Sequence, residues 1–345
     1  VIDQVLVAER QGLDLEDPAL HGRLRDALTS VADGGWQAAP LIAGEVRQGR
    51  ARDVYAPADS TSAIGRIVEA TEADVASAMS AARDAFPRWD ALGGARRADV
   101  LEHAADLIEA DRARLMALCV REGGKSLSDA VSEVREAVDF CRYYAMLARK
   151  EFEAPELLPG PTGERNTLAL RGRGVFACIS PWNFPAAIFT GQVAAALASG
   201  NAAIAKPAEQ TPLVAARTIE LFYQAGIPRG VLQMLPGDGR VGAALTADPR
   251  IAGVAFTGST ETARTINRKL AERDGPIATL IAETGGQNAM VVDSSALAEQ
   301  VVRDVINSSF LSAGQRCSAL RVLYIQRDVA DHVLEMLAGA MQELR

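Results

Sequence analysis

Between residues 174 and 286 the chain alternates short apolar runs with helical segments, and this constrains the fold more than any other feature. The runs are GVFACIS, NAAIAK, VLQML, IAGVAFTG and IATLIAETGG. Between them lie helical stretches such as PAAIFTGQVAAALASGN, TPLVAARTIELFYQAGIP and TETARTINRKLAERDG. A strand with one wet face alternates apolar and polar residues, whereas a strand covered by helices on both faces is apolar throughout. The pattern therefore predicts a doubly wound α/β sheet, which binds its ligands at the carboxyl ends of its strands.

The rest of the chain divides by composition. Residues 1–40 read as a helical lead-in or linker, followed by Gly- and Pro-punctuated short strands to about residue 70. Thr71, with Asp74 three residues on, signals the start of a helical region that runs to about residue 151. Residues 152–170 are rich in Pro and Gly and read as a projecting hairpin or arm. A formal charge of -8, with no basic stripe, argues against nucleic acid or an anionic membrane as partner. The four cysteines lie far apart, which suits reduced thiols in the cytoplasm, and with three histidines they give no zinc pattern. No secretory leader or bilayer-length apolar run is present.

Three segments carry chemistry. PWNFP (181–185) follows the strand GVFACIS, ETGG (283–286) follows IATLIA, and GQRC (314–317) places Cys317 thirty-four residues after Glu283. A thiol at Cys317 can attack a carbonyl, an amide at Asn183 can donate to the oxyanion, and a carboxylate at Glu283 can activate water. Each has a plainer alternative: an inert buried thiol, a turn-capping Asn and a solvated acid. The GDGRVG turn (237–242) matches a dinucleotide fingerprint, yet an ordinary Gly-rich turn fits it equally well.

PWNFP, AKPAEQTP, FTGSTE, ETGGQNAM and GQRC together, in this order and spacing, resemble the aldehyde dehydrogenase superfamily from about residue 40 onward. Within it, SAGQRCSALRVL, ETGGQNAMVVDSSALAEQVV and WQAAPLIAG resemble the glutamate-γ-semialdehyde dehydrogenase portion of bacterial bifunctional proline utilisation proteins. The resemblance implies NAD-dependent oxidation of L-glutamate γ-semialdehyde, formed from 1-pyrroline-5-carboxylate, to glutamate through a Cys317 thiohemiacetal and thioester. Glu283 becomes the base for the deacylating water, and Asn183, with the Cys317 backbone N–H, the oxyanion donor.

It also implies a cofactor site. Ser180, Pro181 and Trp182 would border NAD, and Lys206, Ala208 and Glu209 would hold the adenosine ribose. Glu209 would accept from a 2′-hydroxyl and repel a 2′-phosphate, favouring NAD over NADP. Gly237, Gly239 and Gly242 would border the adenine. Thr257, Gly258 and Ser259 would meet the pyrophosphate at a helix N-terminus, and Thr284 and Gly285 complete the set. Ala263 departs from the family, where many members carry a second Gly. For the substrate, Glu136 is a candidate for the ammonium end or simply a solvated helix-face acid, and Phe184, Arg316 and Ser318 flank the catalytic positions.

The implied architecture is a Rossmann-like NAD-binding domain (41–151 and 171–282), an oligomerisation arm (152–170) and an incomplete α/β catalytic domain (283–345). The expected partners are a small aldehyde, further copies of the chain and an upstream FAD-dependent proline dehydrogenase domain. Chain beyond Arg345 is expected to supply a second glutamate, a substrate-anchoring loop and strand partners for the arm. Without it the stretch is expected to fold poorly and turn over little. Two rivals stay open: oxidation of another semialdehyde or aliphatic aldehyde, and a non-catalytic NAD-binding member of the fold.

Overall fold

The computed structural model describes residues 18–32 and 35–344; the first part of the expected lead-in, residues 1–17, lies outside the described residues. The chain falls into two compact units, 1–282 and 283–345. In the first, helix α1 (Pro18–Ala32) precedes β1 (Trp36–Ala38), β2 (Leu41–Ile42), β3 (Glu45–Val46), β4 (Ala51–Ala56) and β5 (Asp59–Val68). β1 pairs in parallel with β5, and Leu41 of β2 faces Met234 in the main sheet. Residue 40 therefore does not separate a linker from a domain. Burial of Ala38 and Ile42 ties both sides of that point into the first unit.

Four helices follow: α2 (Glu72–Asp90), α3 (Gly94–Ala110), α4 (Arg112–Gly123) and α5 (Leu127–Glu151). Thr71 caps α2 as its spacing from Asp74 predicts. The Asp74 N–H donates to Thr71 Oγ1 at 3.2 Å and the Thr71 N–H to Asp74 Oδ2 at 2.9 Å, a reciprocal box. Helices α3 and α5 pack against each other, and among their buried residues are the small side chains of Ala98, Ala105, Ala137, Ala145 and Ala148. Arg97 is buried in this layer, where its guanidinium donates to the Ala198 and Asp90 carbonyls at 3.0 and 2.8 Å. Strands β6 (Glu156–Leu158) and β7 (Asn166–Leu168) then form an antiparallel hairpin with Leu157, Leu158 and Leu168 exposed.

The main sheet adds β8 (Val175–Ile179), α6 (Ala187–Ala198), β9 (Ala202–Lys206), α7 (Pro212–Gln224), β10 (Leu232–Met234), α8 (Gly239–Ala247), β11 (Ile251–Gly258), α9 (Thr260–Ala271) and β12 (Thr279–Thr284). Every residue of β8, β9 and β10 is buried, which accounts for their largely apolar runs, with Lys206 and Gln233 as the buried polar exceptions. The order is β12-β11-β8-β9-β10-β2-β3, with β11, β8, β9 and β10 parallel. From β8 the chain steps outward to β9 and β10, then returns to β11 on the other side of β8. Right-handed crossovers in opposite directions place helices on opposite faces and open a crevice between the carboxyl ends of β8 and β11.

The second unit holds β13 (Asn288–Val292), α10 (Ala298–Phe310), β14 (Leu320–Ile325) and α11 (Arg327–Gln342). Its two strands are parallel, and its small core is built from Val292, Val301, Val305, Leu320 and Val333.

Glu122, in the last turn of α4, is a buried acid on an apolar helix face. Its two oxygens accept the Leu213 and Val214 N–H groups at 2.7 and 2.8 Å, capping the start of α7. Burial pushes its pKa up from 4.5 to about 8, against the downward pull of those two bonds. A proton held more tightly by the folded state stabilises it fully below about pH 4.5, and that contribution is lost as pH rises through about 8. Glu122→Gln should therefore flatten the decline of melting temperature between about pH 5 and 8. Parallel wild-type and variant profiles in the full-length protein would contradict this.

Candidate active site

In the first unit the sequence-predicted residues gather at one edge of the sheet, because four adjacent parallel strands end there. Beyond β8, Ser180 is buried and its N–H donates to the Lys206 carbonyl at 3.2 Å, joining the turn after β8 to the end of β9. Pro181, Asn183 and Phe184 are half-buried, and Trp182 is exposed. Gln192 of α6 donates to the Ile179 carbonyl at 3.2 Å and to Thr257 Oγ1 at 3.0 Å, bridging the ends of β8 and β11 across the crevice.

Lys206 is buried at the end of β9, where its ammonium donates to the Pro207 carbonyl at 3.1 Å. Desolvation lowers its pKa, opposed by the negative charges of Glu209, Asp238 and Glu69. Ala208 is buried and Glu209 is exposed. After β10, Gly237 is buried, Asp238 caps α8 by accepting the Arg240 N–H, and Gly239 is exposed. Gly242, one turn into α8, faces Lys206 Cδ and Ile179, so the GDGRVG turn stands beside the β9 loop. At the end of β11, Thr257 and Gly258 are half-buried, and Ser259 caps α9 by accepting the Thr262 N–H at 3.1 Å. The edge thus presents two kinds of donor, a buried ammonium and a helix N-terminus, beside an exposed carboxylate acceptor, a combination that suits a ribose diol and a pyrophosphate.

In the second unit Glu283, Gly285, Cys317 and Ser318 are exposed, and Thr284 is half-buried. The Asn288 amide donates to the Cys317 carbonyl at 2.6 Å and to the Ala319 carbonyl at 2.9 Å, tying the ETGGQN segment to the cysteine loop. Arg316 donates to the Asn307 and Ser308 carbonyls at the end of α10, both at 2.8 Å, which makes it a brace for that loop. Ser312, Ala313 and Gly314 take φ values of 55°, 53° and 68°, three left-handed residues in succession. Two of them carry side chains, at a cost of about 1–2 kcal/mol each. Among the described residues no cluster of His, Cys, Asp or Glu could hold a metal ion, and no helix is long and apolar enough to cross a membrane.

The family model for the aldehyde dehydrogenase family matches residues 45–345. This chain belongs to the aldehyde dehydrogenase family. It is 50% identical over 338 residues to the bifunctional protein PutA of Klebsiella aerogenes, covering 97% of this chain and 25% of that protein. It is 37% identical over 314 residues to a 1-pyrroline-5-carboxylate dehydrogenase of a Geobacillus strain, covering 89% of this chain and 60% of that one. A 1-pyrroline-5-carboxylate dehydrogenase from Thermus, solved with bound NAD, superposes with a TM-score of 0.92 at 34% identity, covering 96% of this chain and 66% of that one. The chain therefore spans about a quarter of the PutA relative.

Several residues that hold these loops escaped the sequence reading: Lys125, Glu133 and Gln192 in the first unit and Asn288 in the second. Glu133 did leave a signal, because it shares an apolar helix face with Ala130, Ala137 and Cys141. Glu136, one turn on, is exposed. Burial pushes the Glu133 carboxyl up to about 7, against the pull of Lys125 and of the Ala187 and Ala186 N–H groups.

Gly314 is a sensitive point of the cysteine loop. A Cβ there would lie 2.8 Å from the Ser309 carbonyl oxygen on a backbone that side chains resist. Gly314→Ala should slow alkylation of Cys317 by about tenfold or more through displacement of the loop. An unchanged alkylation rate would show that the loop tolerates the shift.

Proposed function

We propose that this chain oxidises L-glutamate γ-semialdehyde, in equilibrium with 1-pyrroline-5-carboxylate, to L-glutamate with NAD, the second step of proline catabolism. The observation that carries the reading is the Asn288 amide bridge, which fixes the cysteine loop to the segment bearing Glu283 within one unit. The relatives named for PutA and 1-pyrroline-5-carboxylate dehydrogenase supply the substrate, and the Thermus relative with bound NAD supplies the cofactor.

Cys317 sulfur bonds to the aldehyde carbon, giving a thiohemiacetal whose oxygen charge is met by the Asn183 amide and the Cys317 N–H. When bound, NAD supplies the acceptor for the hydride that leaves this carbon, and a Cys317 thioester remains. Glu283 takes a proton from water, the water oxygen bonds to the thioester carbon, and the carbon–sulfur bond breaks to release the acid and the thiolate. Lys206 and Glu209 would hold the adenosine ribose, and the N-terminus of α9 the pyrophosphate. Glu209 would disfavour the 2′-phosphate of NADP.

In the full-length protein, Asn183→Ala should lower kcat by about 100- to 1,000-fold, the usual cost of an oxyanion donor. Cys317→Ala should abolish turnover, and Glu283→Gln should leave a burst of NADH followed by slow release. Faster turnover of a simple aliphatic aldehyde or succinate semialdehyde than of 1-pyrroline-5-carboxylate would replace the substrate assignment. NAD binding without turnover of any aldehyde would favour a non-catalytic role.

We further infer that the full protein carries an FAD-dependent proline dehydrogenase domain and assembles through the 156–168 hairpin. Its exposed Leu157 and Leu168 suit burial against a second copy. Leu157→Asp should lower the mass measured by sedimentation, and an unchanged assembly would remove the hairpin from this role.

A further inference from the structure

The turn that presents Asn183 is gripped from behind by two charges with almost no access to solvent. Lys125 Nζ lies 3.2 Å from Glu133 Oε1, with the two side chains 5% and 0% exposed. The other oxygen of Glu133 accepts the Ala186 and Ala187 N–H groups at 3.1 and 2.9 Å, where α6 begins. The Lys125 ammonium also sits 4.3 Å from the centre of the Phe184 ring, on the residue adjoining Asn183. Between these contacts, a Cβ on Gly123 would meet Pro185 at 3.4 Å, so the end of α4 lies directly against the turn. Gly124, left-handed at φ 66°, ends α4 and lets the chain turn so that Lys125 enters the interior.

Stability alone is a poor reason for this arrangement. Desolvating two charges offsets most of their attraction, and apolar side chains of similar volume often serve a core as well or better. What an apolar pair lacks is direction: a carboxylate fixes where two backbone N–H groups point, and an ammonium over an aromatic face fixes the ring. Both constraints act on residues 184–187, immediately after Asn183.

We propose that Lys125 and Glu133 are positioning residues for the oxyanion site, clamping the 183–187 turn so that the Asn183 amide is held where negative charge develops. The inference rests on Asn183 being the oxyanion donor. Neither residue touches the substrate in this role; each acts through Asn183. Glu122 provides an internal comparison, because it caps α7 in the same manner just beyond the Lys206–Glu209 segment. A fault there should be felt on the ribose side.

The test is a double-mutant cycle in the full-length protein. Glu133→Gln and Lys125→Met should each lower kcat/KM for the aldehyde by about 10- to 100-fold, the scale of a misplaced catalytic group. The KM for NAD should stay within about twofold, and Lys125→Arg should recover part of the loss. Glu122→Gln should show the reverse split, raising the KM for NAD with little effect on kcat. Glu133→Gln combined with Asn183→Ala should be no slower than Asn183→Ala alone, because a clamp has no effect once the clamped amide is gone. Multiplicative losses in the double variant would overturn the clamp while leaving the oxyanion reading intact. Full activity of Asn183→Ala would overturn that reading and the clamp with it. If Glu133→Gln fails to bind NAD, as read by quenching of intrinsic fluorescence, Lys125→Met carries the same cycle.

Discussion

The parallel ladders on both flanks of β8 are the constraint from which the first unit follows. Val175 faces Ala202 and Ile179 faces Lys206 on one side, and Phe256 faces Ile179 on the other. Because the strands run in one direction and in this register, the segments after Ile179, Lys206 and Gly258 emerge at the same edge. A parallel ladder must be covered on both faces, which explains why β8 and β9 contain no surface position and why helices follow each strand. The crevice is a consequence of strand order: the return from β10 to β11 sends the connections after β8 and β11 in opposite directions, with Gln192 spanning the two strand ends.

A second level of organisation comes from buried charge. Glu122 and Glu133 lie at the end of α4 and near the start of α5, and each accepts two N–H groups at the beginning of a sheet-covering helix. A helix N-terminus leaves its first N–H groups unsatisfied and carries a partial positive charge, so an inward-facing carboxylate is a natural partner. The helical region 72–151 therefore does more than cover the sheet. It holds the starts of α6 and α7, and hence the two loops from which a ligand would be gripped. Raised pKa values at both acids record the cost of doing this away from water.

The cysteine loop uses a different device. Three left-handed residues lead into Gln315, and the loop is then held by Asn288, Arg316 and Arg321 through bonds to backbone carbonyls. Strain of this kind persists only where neighbours over-determine the conformation. These donors come from side chains before and after Cys317, so the exposed thiol sits on a braced turn.

The class of fold was legible in residue order alone, because largely apolar runs between helices admit little besides a covered parallel sheet. The family was legible too, through motifs whose order and spacing are local properties of the chain, and the same motifs single out Cys317, Glu283 and Asn183 as the proposed catalytic residues. The capping of α2 by Thr71 was legible for the same reason, since its partner is three residues away. It took the packed fold to reveal that residues 36–42 join the sheets, that Arg316 braces a helix end, and that Lys125 and Glu133 stand behind Asn183. Apart from the Arg316 brace, which reaches back eight and nine residues, those contacts join residues far apart in sequence, and a charge is read from sequence as solvated until the fold shows what surrounds it. Glu133 on an apolar stripe was the one hint; the Ala186 and Ala187 N–H groups that it answers became visible only when α5 was packed against α6.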